Sequence, residues 1–90
     1  MTLIVQKFGG SSLADSQLIK NVAKRIVKAQ KKGDRVAVVV SAMGDSTDRL
    51  IRLANEISTQ PDPRDMDLLL STGELVSCAM LTMALKELGV

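Results

Sequence analysis

Two short strand-like runs, Leu3 to Phe8 and Val36 to Val40, each stop at a glycine-bearing loop and are separated by one amphipathic stretch, and this arrangement constrains the fold most. The first run is rich in β-branched residues and ends in Gly9-Gly10, as a buried strand stopped by a turn would. The second has no polar interruption, the pattern of a strand covered on both faces in a parallel sheet. Between them, from about Asp15 to Lys32, Leu18, Ile19, Val22, Ile26 and Ala29 recur on one helix face, and Gly33 follows as a C-terminal cap. A strand, helix, strand unit crosses over right-handed with its strands parallel. Gly9-Gly10-Ser11-Ser12 and Ser41-Ala42-Met43-Gly44 should therefore share one crevice beyond the carboxyl ends of the strands, where open α/β sheets bind ligands.

The rest of the chain reads as helical. A second helix from about Ser46 to Ile57 carries Leu50, Ile51, Leu53, Ala54 and Ile57 on its expected buried side, with Asp45 or Ser46 as cap. Ser58 to Pro63 is a break. A third helical pattern, Asp65 to Leu88, runs through Leu69, Val76, Met80, Met83 and Leu88, with Gly73 in its interior. A glycine there costs about 1 kcal/mol relative to alanine and points to close approach of another group. The order is β-α-β-α-α, an α/β fold with a parallel sheet and helices on both faces, without repeats or linkers. Two strands would leave unpaired sheet edges, so residues 1–90 are expected to be one piece of a larger sheet or assembly.

Several function classes are disfavoured. Ninety residues bury only roughly 60–65% of their unfolded surface, so no large enclosed active site is expected. Phe8 is the only aromatic residue, which removes base-stacking platforms, and a net charge of +2 does not call for a polyanion. Lys20, Lys24, Arg25, Lys28, Lys31 and Lys32 read as a solvated helix face. One cysteine and no histidine exclude an intrachain disulfide and argue against zinc; Cys78, Met66, Met80 and Met83 are expected in the core. Met1 to Val5 lack a basic leader, and no uninterrupted apolar run of about 18 residues occurs. The expectation is a cytoplasmic protein with no nucleic-acid or membrane partner and no metal-binding residue.

The chemistry-bearing residues cluster at the loops. Gly9 and Gly10 let backbone approach a ligand, a following helix start offers free amides, Ser11 and Ser12 add hydroxyls, and Lys7 can reach an anion held there. A plain turn, with Ser12 or Asp15 capping the helix and Lys7 as an exposed charge, accounts for the same residues. The spacing is neither the P-loop nor the dinucleotide fingerprint. Ser41 to Thr47 again offers amides, hydroxyls and a glycine, or a capped turn. Glu74, beside Gly73, would suit a ligand ammonium if directed inward and is otherwise a surface glutamate; Asp62, Asp65 and Asp67 read as loop and cap residues. Without histidine no base-activated nucleophile is evident. Phosphoryl transfer to a carboxylate needs none, because that acceptor is already ionised at neutral pH.

Val5-Gln6-Lys7-Phe8-Gly9-Gly10-Ser11-Ser12, Val39-Val40-Ser41-Ala42-Met43-Gly44 and Leu70-Ser71-Thr72-Gly73-Glu74 resemble, in order and spacing, the start of bacterial aspartate kinases. The resemblance implies transfer of the γ-phosphate of Mg-ATP to the side-chain carboxylate of L-aspartate, the step that opens lysine, threonine and methionine synthesis. It implies that Lys7 stabilises the transferring phosphoryl group, that Gly9, Gly10 and Ser11 contact phosphate, that Ser41 and Thr47 hold aspartate, and that Glu74 binds its ammonium group. Family members have a far longer kinase domain followed by regulatory ACT domains, and form homo-oligomers. By resemblance, then, these residues are an N-terminal kinase fragment that partners the remainder of its chain and is inactive alone, with most of the base pocket, the magnesium ligands and a substrate arginine elsewhere. The other readings are a different amino-acid kinase, acting on glutamate or acetylglutamate, and a non-catalytic module binding an anion or a partner chain.

Overall fold

The computed structural model describes residues 2–90. Strand β1 (Leu3–Phe8) pairs in parallel with β2 (Arg35–Val40), in register from Leu3 opposite Arg35 to Phe8 opposite Val40. Helix α1 (Ser16–Lys31) makes the crossover, and α2 (Ser46–Ile57) and α3 (Pro63–Glu87) follow, so the expected β-α-β-α-α order stands. One turn of 3₁₀ helix, Gly10–Leu13, lies between β1 and α1.

The period-two alternation of each strand sorts its side chains by face. Phe8, Val36, Val38 and Val40 turn to a core completed by Leu13, by Ile19, Val22, Ala23 and Ile26 of α1, and by Leu81 of α3. Leu13 is fully buried and pins the 3₁₀ turn beneath the sheet end. The opposite strand face is open: Leu3 and Val5 are each 65% exposed and Val39 is 50% exposed. The apolar run of β2 predicts cover on both sides, and the helices of residues 2–90 supply the layer on one.

The ends of α1 follow from local chemistry. Asp15 is its N-cap, with Oδ1 accepting the Leu18 amide at 2.8 Å. At the other end Gly33 adopts φ +89°, and its amide donates to the Gln30 carbonyl, as a C-terminal glycine should. Asp15→Ala is expected to cost about 1 kcal/mol of unfolding free energy, read as a lower urea midpoint of the complete gene product; an unchanged midpoint would mean that the cap contributes nothing. Arg25 lies over the Phe8 ring, its guanidinium carbon 5.4 Å from the centroid, so this member of the basic face also covers the core.

Helices α2 and α3 depart from their predicted faces. No residue of α2 is fully buried, and Ile51, Leu53 and Ile57 are exposed, because α2 packs on α3 and Leu50 and Ala54 carry the contact only partly covered. Asp45 occupies the cap position of α2 without a side-chain capping bond; its carboxylate pairs with Arg49 at 3.5 Å instead. Helix α3 starts at Pro63, with Asp62 Oδ1 accepting the Arg64 amide at 2.8 Å. Its buried stripe is Gly73, Ser77 and Leu81, one turn apart. Val76, Met80, Met83 and Leu88 are exposed, as is Cys78, so neither the predicted stripe nor the core placement of these residues holds. Apolar residues surround α3, leaving its periodicity without a phase, and small side chains decide which side can approach the core. By length and composition α3 is also apolar enough to cross a membrane, although polar residues interrupt the run.

Candidate active site at the carboxyl end of the sheet

The parallel register carries both strand-end loops to one edge. They are joined there: the Ser41 amide donates to the Phe8 carbonyl at 3.2 Å, and the Gly44 amide donates to the Gly10 carbonyl at 2.9 Å. Gly44 reaches this position with φ +52°.

Gly10 is where the loops press closest. A Cβ there would lie 2.9 Å from the Ala42 carbonyl oxygen and 3.1 Å from that of Gly44. Its lack of a side chain thus permits contact between loops, a role distinct from the predicted approach to ligand. Gly9 has nothing within 4 Å of the same hypothetical atom, so the open side of the loop is above Gly9. The Gly9 carbonyl accepts the Ser12 amide at 3.1 Å, while the amides of Gly10 and Ser11 donate to no backbone carbonyl among the described residues. Those two amides are available to an anion. At the start of α1 the Asp15 carboxylate occupies the Leu18 amide.

Lys7 is exposed, one residue before Phe8 and directly opposite Val39 in the sheet. No salt bridge engages it among the described residues. Alternation sends its side chain to the uncovered strand face, alongside Leu3 and Val5. Ser11 is exposed and Ser41 and Thr47 are half-buried, the first beside Ala42 and the second in the opening turn of α2.

Glu74 belongs to the same neighbourhood through its predecessor. A Cβ on Gly73 would lie 2.9 Å from the Ala42 Cβ, so α3 crosses directly over the second loop. Glu74 itself is exposed rather than turned inward. Beside this crossing, an open groove of about 340 Å³ between α2 and α3 is lined by Met43, Ser46, Arg49, Leu50, Thr72 and Val76, among others. Neither this groove nor the part Ala42 plays is legible from residue spacing, although the mid-helix glycine signalled close contact. Among the described residues no three acidic or cysteine side chains gather as a metal site would require.

The amino acid kinase family model matches residues 2–90. The chain belongs to the amino acid kinase family. Among relatives of this kinase segment, an aspartokinase of Mycolicibacterium smegmatis is 55% identical over 89 residues, covering 99% of this chain and 21% of that protein. Aspartokinase 2 of Bacillus subtilis is likewise 55% identical over 89 residues, with 22% of its length covered. The crystal structure of aspartate kinase from Synechocystis superposes with a TM-score of 0.94 at 55% identity, over 96% of this chain and 15% of that one. The chain thus spans about a fifth of the length of the curated relatives it matches. The glycine-bearing loops of this amino acid kinase segment are those picked out by its sequence.

Proposed function

We propose that these residues form the phosphoryl-transfer edge of an aspartate kinase, which passes the γ-phosphate of Mg-ATP to the side-chain carboxylate of L-aspartate. The observation that carries the reading is the joining of the two strand-end loops by the Gly44 to Gly10 hydrogen bond, which places a phosphate-type loop beside a second loop rich in hydroxyls. Likeness to aspartokinases over nearly the whole chain supports aspartate as the acceptor.

In this reading one aspartate Oδ attacks the γ-phosphorus, the bond from phosphorus to the bridging oxygen breaks, and its electron pair leaves with ADP. No proton moves, because a carboxylate with an ordinary pKa near 3.9 is already ionised at neutral pH. The protein's task is then positioning and charge neutralisation. Lys7 neutralises charge on the transferring phosphoryl group, while the amides of Gly10 and Ser11, with Gly9 opening the approach, hold phosphate oxygens. Ser41 and Thr47 hold the amino acid, and Glu74 pairs with its ammonium group. The magnesium ion travels with ATP as part of the substrate. The open strand face and the exposed apolar side of α3 fit a segment that works against the remainder of a longer kinase chain in a cytoplasmic oligomer.

The test compares acceptors. The complete gene product, supplied with Mg-ATP, is expected to release ADP with L-aspartate at a kcat/KM at least about tenfold above that with L-glutamate, whose extra methylene misplaces the reacting carboxylate, or with N-acetylglutamate, whose acetyl group also removes the ammonium charge. Preference for either competitor would move the chain to another branch of the family.

A further inference from the structure

We infer that Ala42 and Gly73 form a size-matched contact that sets the height of α3 above the second loop, making both of them positioning residues for the amino-acid substrate. The inference rests on the reading above and adds two residues that touch neither substrate.

Three segments meet at Ala42, which is buried. On one side the α-carbon of Gly73 comes so near that a Cβ on it would stand 2.9 Å from the Ala42 methyl, with Leu50 Cδ1 at 4.0 Å closing the flank. On the other side Gly10 is so near that its own Cβ would stand 2.9 Å from the Ala42 carbonyl oxygen. Ala42 therefore cannot retreat from α3 without pushing the phosphate loop. One turn along α3, Ser77 is fully buried and its hydroxyl donates to the Gly73 carbonyl at 3.3 Å, so the helix lies on this contact with its small-residue side.

Glycine in a helix interior is unfavourable by itself, and here it permits an approach that no other residue allows. The consequence concerns the residues next in sequence. Glu74 follows Gly73, and Ser41 precedes Ala42, so the contact that spaces Gly73 from Ala42 also spaces the proposed ammonium partner from the loop proposed to hold the rest of the amino acid. Interiors are packed too densely to absorb a methyl at 2.9 Å by compression, so an added Cβ must move backbone. Because Gly10 braces Ala42 from behind, it is α3, with Glu74, that gives way, which predicts an effect on the amino acid larger than on the nucleotide.

Kinetics of the complete gene product test this. Gly73→Ala is expected to lower kcat/KM for aspartate by about 10–100-fold, mainly through KM, with KM for ATP within about threefold of normal, because ångström-scale misplacement has effects of that size. Adding Ala42→Gly removes the methyl that the new one meets, and the double variant should recover most of the loss. Gly10→Ala meets a carbonyl oxygen instead, so Ala42→Gly should not rescue it. If Gly73→Ala does not fold, Ala42→Gly alone carries the test: with the helix unseated, KM for aspartate should rise while the circular dichroism spectrum stays native. An unchanged KM for aspartate in folded Gly73→Ala, or in Ala42→Gly where that variant does not fold, overturns the inference, as does a double variant no better than the single one. Failure of the unmodified protein to phosphorylate aspartate overturns the functional reading itself, a result separable from these.

Discussion

Lys7→Ala in the complete gene product is expected to lower kcat for aspartate-dependent ADP release by about 10²–10³-fold, the scale seen when one preorganised group facing developing charge is removed. The expectation follows from position. Lys7 leaves β1 just before the loop whose Gly10 and Ser11 amides are free to meet an anion, and no carboxylate holds its ammonium elsewhere among the described residues. The same exposure separates catalysis from folding. With no ion pair to lose, Lys7→Ala should leave unfolding free energy within about 0.5 kcal/mol of normal, as surface substitutions usually do. A variant with near-normal kcat would remove Lys7 from the reaction, and one with a much lower urea midpoint would give it a structural role instead.

Gly10→Ala and Gly9→Ala should separate in the opposite sense. The added methyl at Gly10 meets two backbone oxygens, of Ala42 and Gly44, that no side-chain rearrangement can withdraw. Overpacking of this kind costs about 1–3 kcal/mol. Parting the loops also weakens the Gly44 to Gly10 hydrogen bond, worth about 1 kcal/mol. Gly10→Ala is therefore expected to lower both the urea midpoint and kcat, the latter by about 10²-fold if the loop shifts by an ångström. Gly9 lies in extended backbone, with φ −80°, and faces open space, so alanine there fits the free protein. Gly9→Ala should keep the normal urea midpoint and raise KM for ATP, because the methyl occupies space that phosphate needs. Equal stability losses in the two variants, or an unchanged KM for ATP in Gly9→Ala, would contradict this division of roles.

The pair also shows what a sequence can and cannot convey. Both glycines were visible as a turn admitting close approach, but the partners of Gly10 lie more than thirty positions away, at Ala42 and Gly44, and become apparent only when the strands pair. Strand order, parallel pairing and the ends of α1 were legible because they rest on local chemistry: β-branched runs, an Asp15 cap and a glycine at positive φ. The inward face of α3 was not. Met80 and Met83 look like core residues by composition, yet Gly73, Ser77 and Leu81 face inward, because on a helix apolar all round composition singles out no face and the close contact of Gly73 with Ala42 selects one. The face of α2 was not legible for a related reason, since its packing on α3 leaves Ile51, Leu53 and Ile57 36%, 50% and 80% exposed. Of the candidate site residues, Lys7, Gly9, Gly10 and Ser41 lie at one sheet edge as loop spacing predicts, whereas the grouping of Glu74 with them depends on a helix crossing that no local pattern encodes.

The central claim is that the two joined loops pass a phosphoryl group to a carboxylate, and the product tests it most directly. An acyl phosphate reacts with hydroxylamine to give a hydroxamate, whereas a phosphate ester or free phosphate does not. Incubated with Mg-ATP, L-aspartate and hydroxylamine, the complete gene product should form aspartyl hydroxamate in step with ADP, and its Lys7→Ala variant should form about 10²–10³-fold less per unit time. ADP released without hydroxamate, or hydroxamate formed equally well without Lys7, would contradict the account.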